Sequence, residues 1–243
     1  MTLTEIANQV TTTMSDTDSA SVTTCKNYIN NRYRMAWETS LWTPSLGVVS
    51  ESVSADATTI TISSDPSVFY YPTSSTVAST APRMDFPVAV KFTETGQDDG
   101  FEVLGADWVK FFQLDPNIWN DVASRRSTPE NFVNLPKDAS GNCRIKPMPV
   151  PNKAGTAYVL GKLKFTELGD SDSPAIQGLS NVLIAYAMGD MLERSMQFQK
   201  AQAKFTEATQ LLGICRDLDR VQQETTMQII PMVVNHWQRT DFE

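Results

Sequence analysis

The chain of 243 residues has a single histidine, His236, and three cysteines, Cys25, Cys143 and Cys215, far apart in the sequence. One histidine excludes a histidine-clustered metal site, and any Ser/His/acid or Cys/His pair would depend on a residue close to the end of the chain. A disulfide framework or a zinc knuckle needs paired, closely spaced thiols, so buried free cysteines in a reducing cytoplasm are expected. Phosphate-cradling glycine loops are missing too, because Gly155, Gly161 and Gly169 lack the spacing of a dinucleotide or P-loop fingerprint. Asp170-Ser171-Asp172 and Asp98-Asp99 lack the regular spacing and closing glutamate of a calcium loop, and read as a helix cap and a hairpin turn. No apolar run is long enough to cross a bilayer, and the Thr-, Ser- and Asp-rich first twenty residues do not have the order of a secretion signal. The expectation is a protein that is not an enzyme and has no cofactor, no metal and no membrane contact.

Excess positive charge is also absent. With 28 Asp and Glu against 20 Lys and Arg, the formal net charge is −8, which argues against a protein whose main task is to grip nucleic-acid phosphate. Lys137, Arg144, Lys146, Lys153, Lys162 and Lys164 make the middle locally basic, a pattern expected of a solvated face of strands and loops.

What is present is helical pattern at both ends. Leu3, Ile6, Ala7, Val10 and Met14 recur at helical spacing, and Asp18 or Ser19 caps a second pattern through Val22, Cys25, Tyr28, Ile29, Arg32, Met35, Ala36 and Trp37, which ends before Trp42-Thr43-Pro44. Near the other end, Ser173-Pro174 predicts a helix start at about Ala175. Ile176, Leu179, Leu183, Ala187 and Met191 follow, with Ile184, Met188 and Leu192 as a second stripe. A helix apolar over more than half its circumference lies deep in a core or is shared with another subunit. Phe198, Ala201, Phe205, Ala208, Leu212 and Cys215 form one face of the next helix, with Lys200, Lys204 and Glu207 away from it. Ser195-Met196-Gln197 between the two reads as a tight turn, or as a bend in one long helix.

From about Leu46 the period changes to alternation. Val48-Val49, Thr58–Ser63, Phe86–Thr95, Phe101–Leu104 and Thr156–Phe165 are strand candidates, and 96–100 is a hairpin turn. Asp107–Trp119 suits a short helix or an aromatic-rich loop, and Asn131–Pro151 reads as extended and proline-punctuated. After Gln223 the chain is apolar without helical period and is broken by Pro231, so it reads as an extended tail that needs a partner to cover it. The expected fold is α+β: a helical bundle of 1–45 and 170–223, a β-rich insertion at 46–169, and an extended C-terminal tail at 224–243.

Aromatic and arginine residues on the second helix could suggest stacking on bases. The steps Ile29, Tyr33, Trp37 instead make a packing stripe, and Arg32 suits pairing with carboxylates on a neighbour. Arg32, Tyr33, Trp37 and Phe205 are therefore the expected subunit interface.

Two stretches carry a resemblance. Tyr28-Ile29-Asn30-Asn31-Arg32-Tyr33-Arg34 running into Trp37 and Leu41-Trp42-Thr43-Pro44 resembles the opening of head-to-tail adaptor (connector) proteins of tailed bacteriophages. Asp172-Ser173-Pro174-Ala175-Ile176, followed by Leu183-Ile184-Ala185-Tyr186-Ala187 and Lys200-Ala201-Gln202-Ala203-Lys204-Phe205, resembles their closing half. The resemblance covers the two helical ends, and the middle, Leu46–Phe165, matches no known pattern. It implies a structural virion protein at the neck, synthesised in the host cytoplasm and assembled as a ring, usually dodecameric. Such a ring docks below the portal protein, contacts tail or nozzle proteins and continues the DNA channel without specific binding. It also implies a terminal segment that reaches into the portal, for which Ile229, Ile230, Met232, Val233, Val234 and Trp237 are the expected docking residues.

The alternative expectation is a tail or capsid-decoration protein whose β-rich middle binds a ligand or host receptor through Phe69-Tyr70-Tyr71 and Trp108–Trp119. An enzyme of unrecognised type is the third; paired carboxylates for glycoside cleavage have no local spacing to reveal them.

Overall fold

Thr2 and Glu5 form a reciprocal capping box at the head of helix α1 (Leu3–Thr13), with Glu5 N donating to Thr2 Oγ1 at 3.2 Å and Thr2 N to Glu5 Oε2 at 2.9 Å. Further first-turn donors reach the returning chain: Leu3 N donates to Asp172 O at 2.8 Å and Thr4 N to Asp170 O at 3.3 Å. The Asp170–Asp172 stretch is thus an acceptor for the start of α1. The computed structural model describes residues 1–64, 66–68, 83–97, 100–107, 109, 113 and 123–237, with the backbone alone at 67–68 and 222–237.

Two compact units divide the chain, one of 1–43 with 165–243 and one of 44–164. In the first, Asp18 caps α2 (Ser19–Glu38) through Ala20 N, and Cys25, Ile29, Tyr33, Ala36 and Trp37 face the core. Tyr33, Trp37 and Phe165 meet edge to face with centroids 5.2 to 6.4 Å apart, an arrangement that suits the ring quadrupoles. Asn30 holds Leu168 in both directions, its amide donating to Leu168 O at 3.2 Å and its oxygen accepting from Leu168 N at 2.9 Å.

The next helix, α3, spans Leu179–Arg194 and buries Leu179, Val182, Leu183, Ile184, Ala185, Ala187, Met191 and Leu192. It begins later than Ser173-Pro174 predicts. The residue ahead of it is Gly178 at φ 78, and the carbonyls of 170 and 172 serve α1 instead. Ser195-Met196-Gln197 is a true turn, with Met196 at φ 57, and α4 runs from Phe198 to Trp237.

In the second unit all strands belong to one sheet, in the order β2-β7-β6-β5-β4-β8-β1-β3. They are β1 (Leu46–Val53), β2 (Ile60–Ile62), β3 (Ser67–Val68), β4 (Met84–Glu94), β5 (Phe101–Gly105), β6 (Asn131–Leu135), β7 (Cys143–Met148) and β8 (Gly155–Leu163). Every pairing is antiparallel except β5 with β6, which is parallel over Leu104↔Asn131 and Gly105↔Phe132. The central β8 pairs with β1 from Leu46↔Lys162 to Val53↔Gly155, and with β4 from Met84↔Leu163 to Glu94↔Gly155, with register shifts near Pro87. The seam between β1 and β2 is held by a side chain: Glu51 Oε1 accepts from Ser63 N at 2.5 Å and Ser64 N at 2.6 Å. Val49, Val53, Ile60, Ile62, Met84, Val90, Phe92, Val103, Phe132, Cys143, Ile145, Ala157 and Val159 share one core, drawn from opposite ends of the strand order. The sheet therefore curls round its own interior.

This corrects the expected fold class. The middle is a nearly closed, barrel-like, mostly antiparallel sheet with its own core rather than an insertion into a helical bundle, and the whole is a barrel-like α+β fold. Asn131–Pro151, expected to be extended and proline-punctuated, supplies the β6–β7 hairpin, in which Pro147 pairs opposite Phe132. The tail is also corrected, since the backbone past Gln223 is helical through Trp237, with Pro231 inside the helix. A proline in a helix removes one hydrogen bond, and here the ladder continues on either side of it.

Candidate functional site

Of the residues expected at a subunit interface, Tyr33 and Trp37 pack against Phe165, and Arg32 meets Phe205 where α2, α3 and α4 come together. Tyr33 and Trp37 are 4% and 7% exposed and pack in the chain's own core. Arg32 is engaged within the chain. Its Nε donates to Asp190 Oδ2 at 2.9 Å and its Nη2 to Asp190 Oδ1, while the guanidinium lies 5.0 Å from the Tyr186 ring centroid and 5.1 Å from that of Phe205. A planar, delocalised cation can donate to two carboxylate oxygens in its plane and carry two rings on its faces. Asp190 raises the Arg32 pKa further, mainly through that hydrogen bond. Phe205 sits over Gly189, where a Cβ would collide with its ring. Arg32, Asp190, Tyr186 and Phe205 thus knot α2, α3 and α4 of the chain.

Burial also decides the cysteines. All three are free and buried, and burial, with the negative charge of Asp190 adding to it, pushes the Cys25 thiol up to about 12. A thiol that stays protonated is a packing group and a poor nucleophile.

Beyond the knot, α4 has two apolar faces. Ala201, Ala208, Leu212 and Cys215 are buried, whereas Phe198, placed on that face by its spacing, is exposed. Ile214, Leu218 and Val221 form a second stripe at i, i+4 and i+7, exposed by 56%, 56% and 59%. At 3.6 residues per turn the two faces are roughly 120° apart, so the core that covers the first does not cover the second. The spacing of this second stripe is legible in the sequence, beside the longer pattern of the inner face. Asp219 on α4 accepts from Thr43 N with Oδ1 and Oδ2, at 3.2 and 3.1 Å. From Asp219 to Trp237 the helix rises about 27 Å at 1.5 Å per residue. Ile229, Ile230, Met232, Val233, Val234 and Trp237 lie on this stretch, where the backbone alone is described.

In the barrel unit the basic residues are not a uniformly solvated face. Lys162 and Lys146 are buried at 4% and 9% exposure; Lys137 pairs with Asp85 at 2.5 Å and Lys153 with Glu94 at 2.8 Å. Glu94, itself buried, also accepts from Thr128 Oγ1 at 2.6 Å, and the hydrogen bonds from Lys153 and Thr128 hold its carboxyl below the usual glutamate range. Of the aromatic surface expected for a receptor-binding reading, Phe69-Tyr70-Tyr71 and, apart from isolated backbone positions, Trp108–Trp119 lie outside the described residues. Exposed on the sheet instead are Phe86, Val88, Leu104 and Tyr158.

Among the described residues no group of His, Cys, Asp and Glu is placed to hold a metal ion, and no helix is long and apolar enough to cross a membrane. The strongest candidate site is therefore a surface, the outer stripe of α4. No protein-family model matches this chain, and comparison with the curated proteins finds no match.

Proposed function

We propose that this protein is a structural component of a tailed-phage particle, a ring-forming adaptor at the head–tail junction without enzymatic turnover. The observation that carries the proposal is α4: it continues as helix to Trp237 and carries Ile214, Leu218 and Val221 as an exposed stripe apart from its buried face. An exposed apolar stripe of this kind suits a protein partner that covers it. The sequence resemblance of the α2 and α3–α4 segments to head-to-tail adaptors supplies the class of partner. In this reading the segment 224–237, with Ile229, Ile230, Met232, Val233, Val234 and Trp237, docks on the portal as a helix. Copies of the chain close a ring, usually of twelve in such proteins, tail or nozzle proteins attach below, and genomic DNA passes through the channel. The net charge of −8 suits an acidic lumen, which offers phosphate no binding wells.

Binding to the portal tests it. Truncation after Gln223 is expected to leave a folded, soluble chain that no longer binds the portal; equal binding by the truncated and full chains would overturn the docking assignment. The exposed Phe86, Val88, Leu104 and Tyr158 on the sheet favour a second reading, a tail or decoration protein whose barrel binds a ligand or host receptor. Binding of the isolated protein to host surface polysaccharide would support that reading against the first.

A further inference from the structure

Helix α3 ends in a two-bond closure at the tip of the α3–α4 hairpin. Gln197 N donates to Leu192 O and Met196 N to Glu193 O, both at 2.9 Å, a pattern that puts one residue in the left-handed region and that glycine usually fills. Here the residue is Met196, at φ 57. A Cβ is disfavoured in that conformation, and the side chain gains nothing in return from its own fold, because Met196 is 79% exposed. Phe198, at the first position of α4, is 62% exposed. The backbone favours glycine at 196 and water favours polar groups at both positions, so the two apolar side chains answer to something outside the chain.

Charge around the tip indicates the occupant. The segment 194–204 carries Arg194, Lys200 and Lys204 and no carboxylate, in a chain of net charge −8. Lys204 is paired with Glu207 at 2.7 Å. Lys200 donates to the neutral Gln197 Oε1 at 2.9 Å, and Arg194 lies in the last turn of α3, next to Glu193. The apolar tip is thus rimmed by cations, while the excess of carboxylates lies elsewhere on the same chain. We propose that Met196 and Phe198 form a knob that seats on a carboxylate-rimmed surface of a second copy of this chain. Two knobs face to face would bring their cations together, so the contact is head to tail, the kind that closes rings rather than two-fold dimers. This rests on the proposed ring and names residues that carry it. Two side chains cover less than the roughly 800 Å² per partner of a stable interface, so the knob anchors a larger contact.

Sedimentation of the full-length chain over a range of concentrations, without portal, tests the knob. Assembly beyond a dimer is expected, weakened about tenfold or more by Met196→Gly or Phe198→Glu, the scale of one large apolar side chain left unburied, and weakened by added salt. Chemical denaturation of the monomers is expected to place Met196→Gly at or above the wild-type midpoint, since glycine fits the backbone there. Assembly of either variant at wild-type strength, a purely two-fold dimer, a chain that stays monomeric at its highest soluble concentration, or a Met196→Gly midpoint below wild type would overturn the inference. Binding of the wild type, and not of the variants, to anionic lipid vesicles would also overturn it, by assigning the knob to a membrane surface. Assembly untouched by either variant removes the knob while the ring reading stands; absence of this chain from virions removes that reading and leaves the self-contact as measured.

Discussion

Arg32 on α2 gives both Nε and Nη2 to the carboxylate of Asp190 on α3, and the same guanidinium is covered by the rings of Tyr186 and Phe205. The pair is only partly open to water, with side-chain exposures of 23% and 11%. Arg32→Ala would strand the Asp190 carboxylate in that setting, at a cost of about 3 kcal/mol. Arg32→Lys keeps the charge and loses the fork and the stacking, so it is expected to fall between alanine and wild type. Chemical denaturation measures both, and a loss under about 0.5 kcal/mol in the alanine variant, the scale of an ordinary surface change, would contradict the description.

Gly189 and Phe205 offer a second test of the same junction. A Cβ at 189 collides with the Phe205 ring, so Gly189→Ala is expected to destabilise by about 1–3 kcal/mol through overpacking, despite the better helix propensity of alanine. Adding Phe205→Leu should recover part of the loss, and the double-mutant cycle reads that coupling directly. Strict additivity would show that the collision relaxes elsewhere.

Glu51 closes the barrel seam by receiving the N–H groups of Ser63 and Ser64. Glu51→Ala leaves two backbone donors without that acceptor and is expected to cost about 2 kcal/mol, with faster hydrogen exchange confined to 60–64. Exchange that stays slow at 63 and 64 would show that the seam is held by other contacts.

Acid should act on the Glu94 end of the barrel. The hydrogen bonds from Lys153 and Thr128 lower the folded-state pKa of Glu94, so its contribution to stability is fully present above the unfolded-state value of about 4.3 and is lost as pH falls through the lower folded value. Asp138, lowered chiefly by the Asn142 N–H with Ser140 N also donating, has the same sign. Glu94→Gln is expected to reduce stability at neutral pH and to flatten the decline on the acid side. An acid limb as steep as in the wild type would remove Glu94 from the account.

Helix faces were legible in the sequence where local spacing decides burial. Ile29, Tyr33 and Trp37 stand at four-residue steps and are buried together, as are Ala201, Ala208, Leu212 and Cys215, and the three cysteines are the buried thiols their scatter implies. The rest depended on partners far away in the chain. Arg32 reads as an outward anchor because Asp190 is 158 residues distant. Ser173-Pro174 is a strong local helix start, yet the backbone just before it is used to accept from α1. The β6–β7 hairpin was hidden by Pro136, Pro147 and Pro149, residues that depress strand propensity without excluding pairing at particular positions. Where the sheet curls, Glu51 on β1 receives the N–H groups of 63 and 64 next to β2, a contact with no periodic signature. Pro231 and the β-branched residues around it argued against helix after Gln223, where the backbone is helical.

The most direct test of the proposed role is the copy number of this chain in purified virions relative to the portal protein, by quantitative mass spectrometry. A neck adaptor predicts equality with the portal or a small fixed ratio to it. Hundreds of copies per particle, or absence from the particle, would contradict the adaptor assignment.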